Sequence, residues 1–160
     1  MLDRATKISD LLLDILDECR DKRIGNLPFL EGIIAEYLAV VVCAEIEEKI
    51  VASIWQRLDE IAPSAIANVI AQTQRSIIQR IPKSDLAKTI GMFGDDCKET
   101  FNNSCTEQDV AAYSAVVLAR HATAHPGSPK ISIKDVQNGI RASNALLKNA
   151  SDAIRLHSSQ

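Results

Sequence analysis

Leu38-Ala39-Val40-Val41-Val42-Cys43-Ala44 is apolar on every face of any regular structure it adopts. Seven such residues alone suit a buried strand as well as a helix, and the flanks have to decide between them. Upstream, Leu30, Ile33, Ile34 and Tyr37 recur at intervals of three and four. Downstream, Ile46, Ile50, Ile54 and Leu58 continue the same spacing without a break. The pattern therefore predicts one long helix over about 29–61, the central and most buried helix of a bundle. Pro28 suits its first turn, because proline lacks only an N–H that the first turn leaves unpaired anyway.

The same period extends outward in both directions. Ile8, Leu11, Leu12, Ile15, Leu16 and Cys19 make one apolar helical stripe, and Gly25-Asn26 ends it. After Pro63, the residues Ile66, Val69, Ile70, Ile77 and Ile78 predict a third helix over 64–79. Ile81-Pro82 separates this from a fourth helical piece over 84–101, weakened by Gly91 and Gly94 and closed by Asn102-Asn103-Ser104. Thr106-Glu-Gln-Asp109 has the form of a capping box and opens a helix reaching about residue 124. Pro126-Gly127-Ser128-Pro129 is the clearest loop, and Ser132-Ile-Lys-Asp135 caps a last helix carrying Val136, Ile140, Leu147, Ala150 and Ile154. No segment alternates polar and apolar residues as a half-buried strand does. The expected fold is all-α, an up-and-down antiparallel bundle of five or six helices forming one domain over 1–160.

Composition narrows the function classes. Of 160 residues, 46% are hydrophobic and 24% charged, which is enough to fill a core and argues against disorder. Only 4% are aromatic, so that core must rest on Leu, Ile, Val and Ala. No uninterrupted apolar run reaches the roughly 18–20 residues that span a bilayer, and the charged start Met1-Leu-Asp-Arg-Ala-Thr-Lys lacks a signal peptide's apolar stretch. These features predict a cytoplasmic protein with no membrane partner. Cys19, Cys43, Cys97 and Cys105 form no Cys-x-x-Cys pair and read as free thiols, two of them inside apolar helical patterns. The net charge of −3 is uneven: residues 1–61 carry 7 basic and 13 acidic side chains, and the remainder is slightly basic. That balance excludes a non-specific nucleic-acid coat but leaves room for a local basic site.

The chemically informative stretch is Ala119-Arg120-His121-Ala122-Thr123-Ala124-His125-Pro126-Gly127, which holds two of the chain's three histidines at the end of a predicted helix. Arg and His there can simply satisfy the open carbonyls and dipole of a helix C-terminus. His121 and His125, one turn apart, could also share a zinc ion with a third ligand from Glu47, His157 or a cysteine. However, no glutamate stands beside His121 to complete His-Glu-x-x-His.

Arg120-His121-x-x-x-His125 resembles the Arg-polar-x3-His signature of the HEPN superfamily (higher eukaryotes and prokaryotes nucleotide-binding). The apolar helix Tyr37-Leu-Ala-Val-Val-Val-Cys-Ala-Glu-Ile-Glu47 is similar to the glutamate-ended helix of several HEPN groups. The likeness covers about residues 28–155. It departs from the family in His121, where Asn is more usual, and in Pro126, which stands between His125 and the expected glycine. The resemblance implies a helical endoribonuclease of the toxin or phage-defence kind that needs no metal or other cofactor. It implies RNA as substrate, a homodimer whose two motifs line one cleft, and an antitoxin protein as partner. It equally admits a non-catalytic HEPN-like module that binds a nucleotide or joins a larger complex.

Cleavage by the RNA's own 2′-hydroxyl needs a base, positive charge on the crowded phosphate and an acid for the leaving oxygen. Histidine titrates near neutral pH, and arginine stays charged and matches phosphate oxygens. The expected assignment is Arg120 on the phosphate, His125 as acid and base, and His121 as an orienting group. Glu47, if it turns inward, pairs with Arg120 and holds it. On a regular helix a five-residue offset sets Arg120 and His125 about 140° apart. His125 must therefore lie beyond the last regular turn, or the site must be shared between two subunits.

Overall fold

In the computed structural model of the chain, residues 1–23, 25–61, 82–122 and 131–156 are described, except for the side chains of 121 and 122. Six helices and no strand occur among the described residues: α1 (Asp3–Asp21), α2 (Leu27–Ile61), α3 (Lys83–Gly91), α4 (Asp95–Ser104), α5 (Glu107–Ala122) and α6 (Ile133–Ala153). The expected all-α bundle is what forms. The helix anticipated over 64–79 and the loop at 126–129 lie outside the described residues.

The single piece anticipated over 84–101 is two helices. Gly94 sits at φ 138°, a conformation that favours glycine, and the chain breaks there between α3 and α4. Each half buries its own apolar set, Leu86, Ala87 and Ile90 from α3 and Cys97 and Phe101 from α4.

α2 is the spine, about 52 Å long at the α-helical rise. Its Ile34, Leu38, Val42, Ile46, Ile50, Ile54 and Leu58 face the core, and each such side chain contributes roughly 1.5–3 kcal/mol by leaving water. Trp55 is half-buried against the same core, as an anchor would be. The all-round apolar stretch is not buried on every face, however. Leu38, Ala39, Val42 and Cys43 are enclosed, whereas Val40 is 41% exposed. An 18-residue window of α2 is long and apolar enough to cross a membrane by composition, although no uninterrupted apolar run in it reaches that length. Charged residues interrupt the run without lowering its mean hydropathy far enough, and such a window also suits the core helix of a bundle.

α1 lies antiparallel on α2. At one end Arg20 of α1 bonds Glu31 of α2; at the other, Arg4 reaches Glu48. Leu2 stands at the N-cap of α1 and has no side chain to close that end. Glu45 of α2 does so instead: its carboxylate oxygens accept from the N–H groups of Arg4 at 3.1 Å and Ala5 at 2.7 Å. The Leu2 N–H is taken by Asn144 Oδ1 of α6 at 2.7 Å. Two different helices thus supply the partners that a helix start lacks.

α5 and α6 are likewise antiparallel, with Asn149 of α6 donating to the carbonyl of Ser104 just before α5. Both expected caps form. Thr106 Oγ1 accepts from Asp109 N–H at 3.1 Å, and Ser132 and Asp135 make a complete capping box. Gly139 of α6 meets Val116 of α5 so closely that a Cβ there would overlap Val116 Cγ2.

Candidate functional site

The site grows from a repeated contact between α2 and α5. Cys43 Sγ lies 3.9 Å from the carbonyl oxygen of Val116, and one turn further along both helices Glu47 meets Arg120. Glu47 Oε1 accepts from Arg120 Nη1 in a close ion pair. The two side chains are 25% and 33% exposed, so the pair sits at the edge of the core with one side open to solvent. Both helices are fixed there by Cys43, Val116 and Tyr113, all buried.

The electrostatics follow from that position. The hydrogen bond that Arg120 donates to Glu47 holds the guanidinium still further above its ordinary range, so it carries a full charge at any working pH. Arg120 also stands in the closing turns of α5, where a cation is favoured by the exposed carbonyls. Burial pushes the Cys43 thiol up to about 12, against the pull of Arg120, and the neutral thiol is no nucleophile at pH 7. Burial, with smaller contributions from Cys43 and Glu47, raises the Tyr113 hydroxyl as well. The floor that Cys43 and Tyr113 make beneath the pair is therefore uncharged.

Of the expected site residues, Glu47 and Arg120 are brought together from 73 residues apart in sequence. His121 continues α5, but its side chain lies outside the described residues, as do His125 and His157 entirely. The zinc alternative rests on those histidines; among the described residues no group of three or more His, Cys, Asp or Glu could hold a metal ion. All four cysteines are free thiols, with Cys43 and Cys97 buried and Cys19 and Cys105 half-buried. The three glutamates of Glu45-Ile-Glu47-Glu48 divide cleanly. Glu45 closes α1, Glu47 holds Arg120, and Glu48 is a surface partner of Arg4. Sequence reasoning missed the role of Glu45. The signal was available in the start of α1, which has no Ser, Thr, Asp or Asn at the capping position.

No family model, no curated protein and no solved structure matches the chain. The fold and the site define an all-α bundle with a partly buried arginine–glutamate pair at one helix end.

Proposed function

We propose that this chain is a metal-independent endoribonuclease of the HEPN kind, of a toxin or phage-defence system. The observation that carries the reading is the Glu47–Arg120 pair. A permanently charged guanidinium, partly open to solvent, is held by a carboxylate from the central helix two positions inside the end of α5. The histidine spacing supplies the rest of the argument. In the proposed reaction the RNA 2′-oxygen attacks phosphorus as His125 takes its proton. The bond from phosphorus to the 5′-oxygen then breaks, and that oxygen takes the proton back from His125, now acting as the acid. The ends left are a 2′,3′-cyclic phosphate and a 5′-hydroxyl. Arg120 offsets charge on the pentacoordinate phosphate, His121 orients the substrate and Glu47 fixes Arg120. A homodimer would set two such motifs in one cleft, and an antitoxin protein would restrain it.

The test is cleavage of a mixed RNA by purified full-length protein in EDTA, comparing wild type with His125→Ala and Arg120→Ala. The expected result is cleavage with cyclic-phosphate ends in wild type and loss of it in both variants. Equal activity in all three proteins would remove Arg120 and His125 from the chemistry. Activity in none would favour the second reading, a non-catalytic module that binds a nucleotide or a partner. That reading draws on the same pair, since a guanidinium neutralised by a carboxylate also serves as a plain brace between helices.

A further inference from the structure

We propose that the outer face of α6 and the groove beside it form a track for the sugar–phosphate backbone of an RNA strand. Lys134, Arg141 and Lys148 recur at intervals of seven residues along α6, and Arg155 follows at the same interval just past its end. Seven residues are nearly two full turns, so the three cations on the helix fall within about 40° of one another and stand about 10.5 Å apart. All four are exposed. Arg155 is answered by Glu60, and Arg141 bonds the neutral Asn138. Among the described residues no ion pair reaches Lys134, Arg141 or Lys148. A merely solvated helix face commonly alternates signs. Here the only carboxylates of α6 are Asp135, engaged in the capping box, and Asp152.

Lys148 of this line also stands on an open groove of about 540 Å³ between α6 and α2. Asn144, Ser151 and Asp152 line it from α6, and Lys49 and Ser53 from α2. Lys49 is half-buried. Among the described residues no ion pair reaches Lys49 or Asp152. Asn144 Oδ1 accepts from the Leu2 N–H, which leaves the amide N–H groups of Asn144 as donors. Two ammonium groups from different helices, an amide and a serine hydroxyl are the groups that hold phosphate oxygens without regard to base. One carboxylate against two ammonium groups gives the groove a field that attracts anions. The charges around it do not reverse this: in the first turns of α1, Asp3 is matched by Lys7 one turn on, and Arg4 pairs with Glu48 of α2.

The chemistry of the face selects a strand over a protein or a bilayer. Protein contacts centre on apolar and aromatic anchors, and helices that lie on bilayers need an apolar face. Among the described residues α6 exposes no large apolar side chain. Gln137, Asn138 and Asn144 stand between the cations, uncharged groups of the kind that meet phosphate and sugar. A line of like charges about 21 Å long from Lys134 to Lys148 matches an extended polyanion and exceeds any small anion. The contact of Gly139 with Val116 sets the start of α6 level with the Arg120 turn of α5. The line therefore begins at the end of α5 that holds the Glu47–Arg120 pair. That the strand is RNA rests on the nuclease reading; the track for a polyanion does not.

The experiment uses a fluorescein-labelled 20-nucleotide RNA carrying 2′-O-methyl groups throughout, titrated with full-length protein and followed by fluorescence anisotropy. The methyl groups remove the attacking hydroxyl, so binding is read whether or not the protein cuts. The wild type binds, and its Kd rises with salt. Arg141→Ala and Lys148→Ala each raise Kd about fivefold and lower the slope of log Kd against log salt by about 0.7, one phosphate contact apiece. Arg23→Asn, which removes a cation beyond the end of α1 remote from the groove, leaves both unchanged. Unchanged melting of all variants checks the fold. The proposal is overturned if the wild type does not bind, if the α6 variants bind as well as wild type, or if Arg23→Asn weakens binding as much as they do. A polyglutamate peptide bound as tightly, and lost in the same variants, would assign the face to an acidic protein and overturn it likewise. Binding to the track without cleavage of unmodified RNA fails the nuclease reading and upholds this one. Cleavage by a wild type whose α6 variants bind no differently fails the track alone.

Discussion

Glu47 on α2 and Arg120 on α5 form an ion pair at the margin of the core, directly beyond the buried contact of Cys43 with Val116. Position determines what such a pair is worth. It is too exposed for the full cost of a buried charge to fall on either partner and too enclosed to be a neutral surface pair. A double-mutant cycle with Glu47→Ala and Arg120→Ala is expected to give a coupling energy of about 1 kcal/mol in urea unfolding. A coupling indistinguishable from zero would mean that the pair does not hold Arg120 in solution.

The functional reading makes a sharper demand on the same residue. Arg120→Lys keeps the charge and loses the planar fork that meets phosphate oxygens in two places. If Arg120 binds the reacting phosphate, RNA cleavage falls by about 10²-fold with little change in stability. Full activity in the lysine variant, measured on the same RNA, would show that only charge is needed there.

Glu45 closes the start of α1 from another helix, and its removal leaves the Arg4 and Ala5 N–H groups without their acceptor. Glu45→Ala is expected to cost about 2–4 kcal/mol in denaturant unfolding, one to two unpaired donors' worth. Glu45→Gln keeps one acceptor oxygen and is expected to lose roughly half as much. Amide hydrogen exchange should rise first in the opening turn of α1. Protection unchanged there in the alanine variant would refute the capping role.

Gly139 allows α6 to lie against Val116 of α5. Gly139→Ala places a methyl group where Val116 Cγ2 already stands, 3.3 Å from the Ala112 carbonyl oxygen. The loss expected is about 1–3 kcal/mol, despite the gain in helix propensity. Adding Val116→Ala should recover part of it. A stabilised Gly139→Ala protein in thermal melts would mean that the two helices are not so close.

The capping box of α6 gives a dependence on pH. Hydrogen bonds from the Ser132 hydroxyl and N–H hold the Asp135 carboxyl below its ordinary range. A depressed carboxyl stabilises the fold above its unfolded value, and that contribution is lost as pH falls through the folded one. Ser132→Ala should therefore cost about 1 kcal/mol at pH 7, and the gap from wild type should shrink below about pH 4. An equal gap at pH 7 and pH 3 would show that the charge on Asp135 plays no part.

Periodicity of apolar residues alone determined that this chain is helical, because the 3.6-residue recurrence from Leu30 to Leu58 depends only on which side chains avoid water. Capping chemistry is equally local, so Thr106 to Asp109 and Ser132 to Asp135 were legible as helix starts. The break at Gly94 was only half legible. A glycine weakens a helix anywhere, but whether it ends one depends on where the two halves can bury Leu86, Ile90, Cys97 and Phe101. The division of labour among Glu45, Glu47 and Glu48 was decided by tertiary structure alone. Successive residues on a helix point about 100° apart, and only the placement of α1 and α5 around α2 determines which carboxylate meets a helix start, an arginine or water. The exposure of Phe29, Ile33, Tyr37 and Val40 has the same origin: these residues are as apolar as those of the core, and they lie on the face of α2 turned away from it.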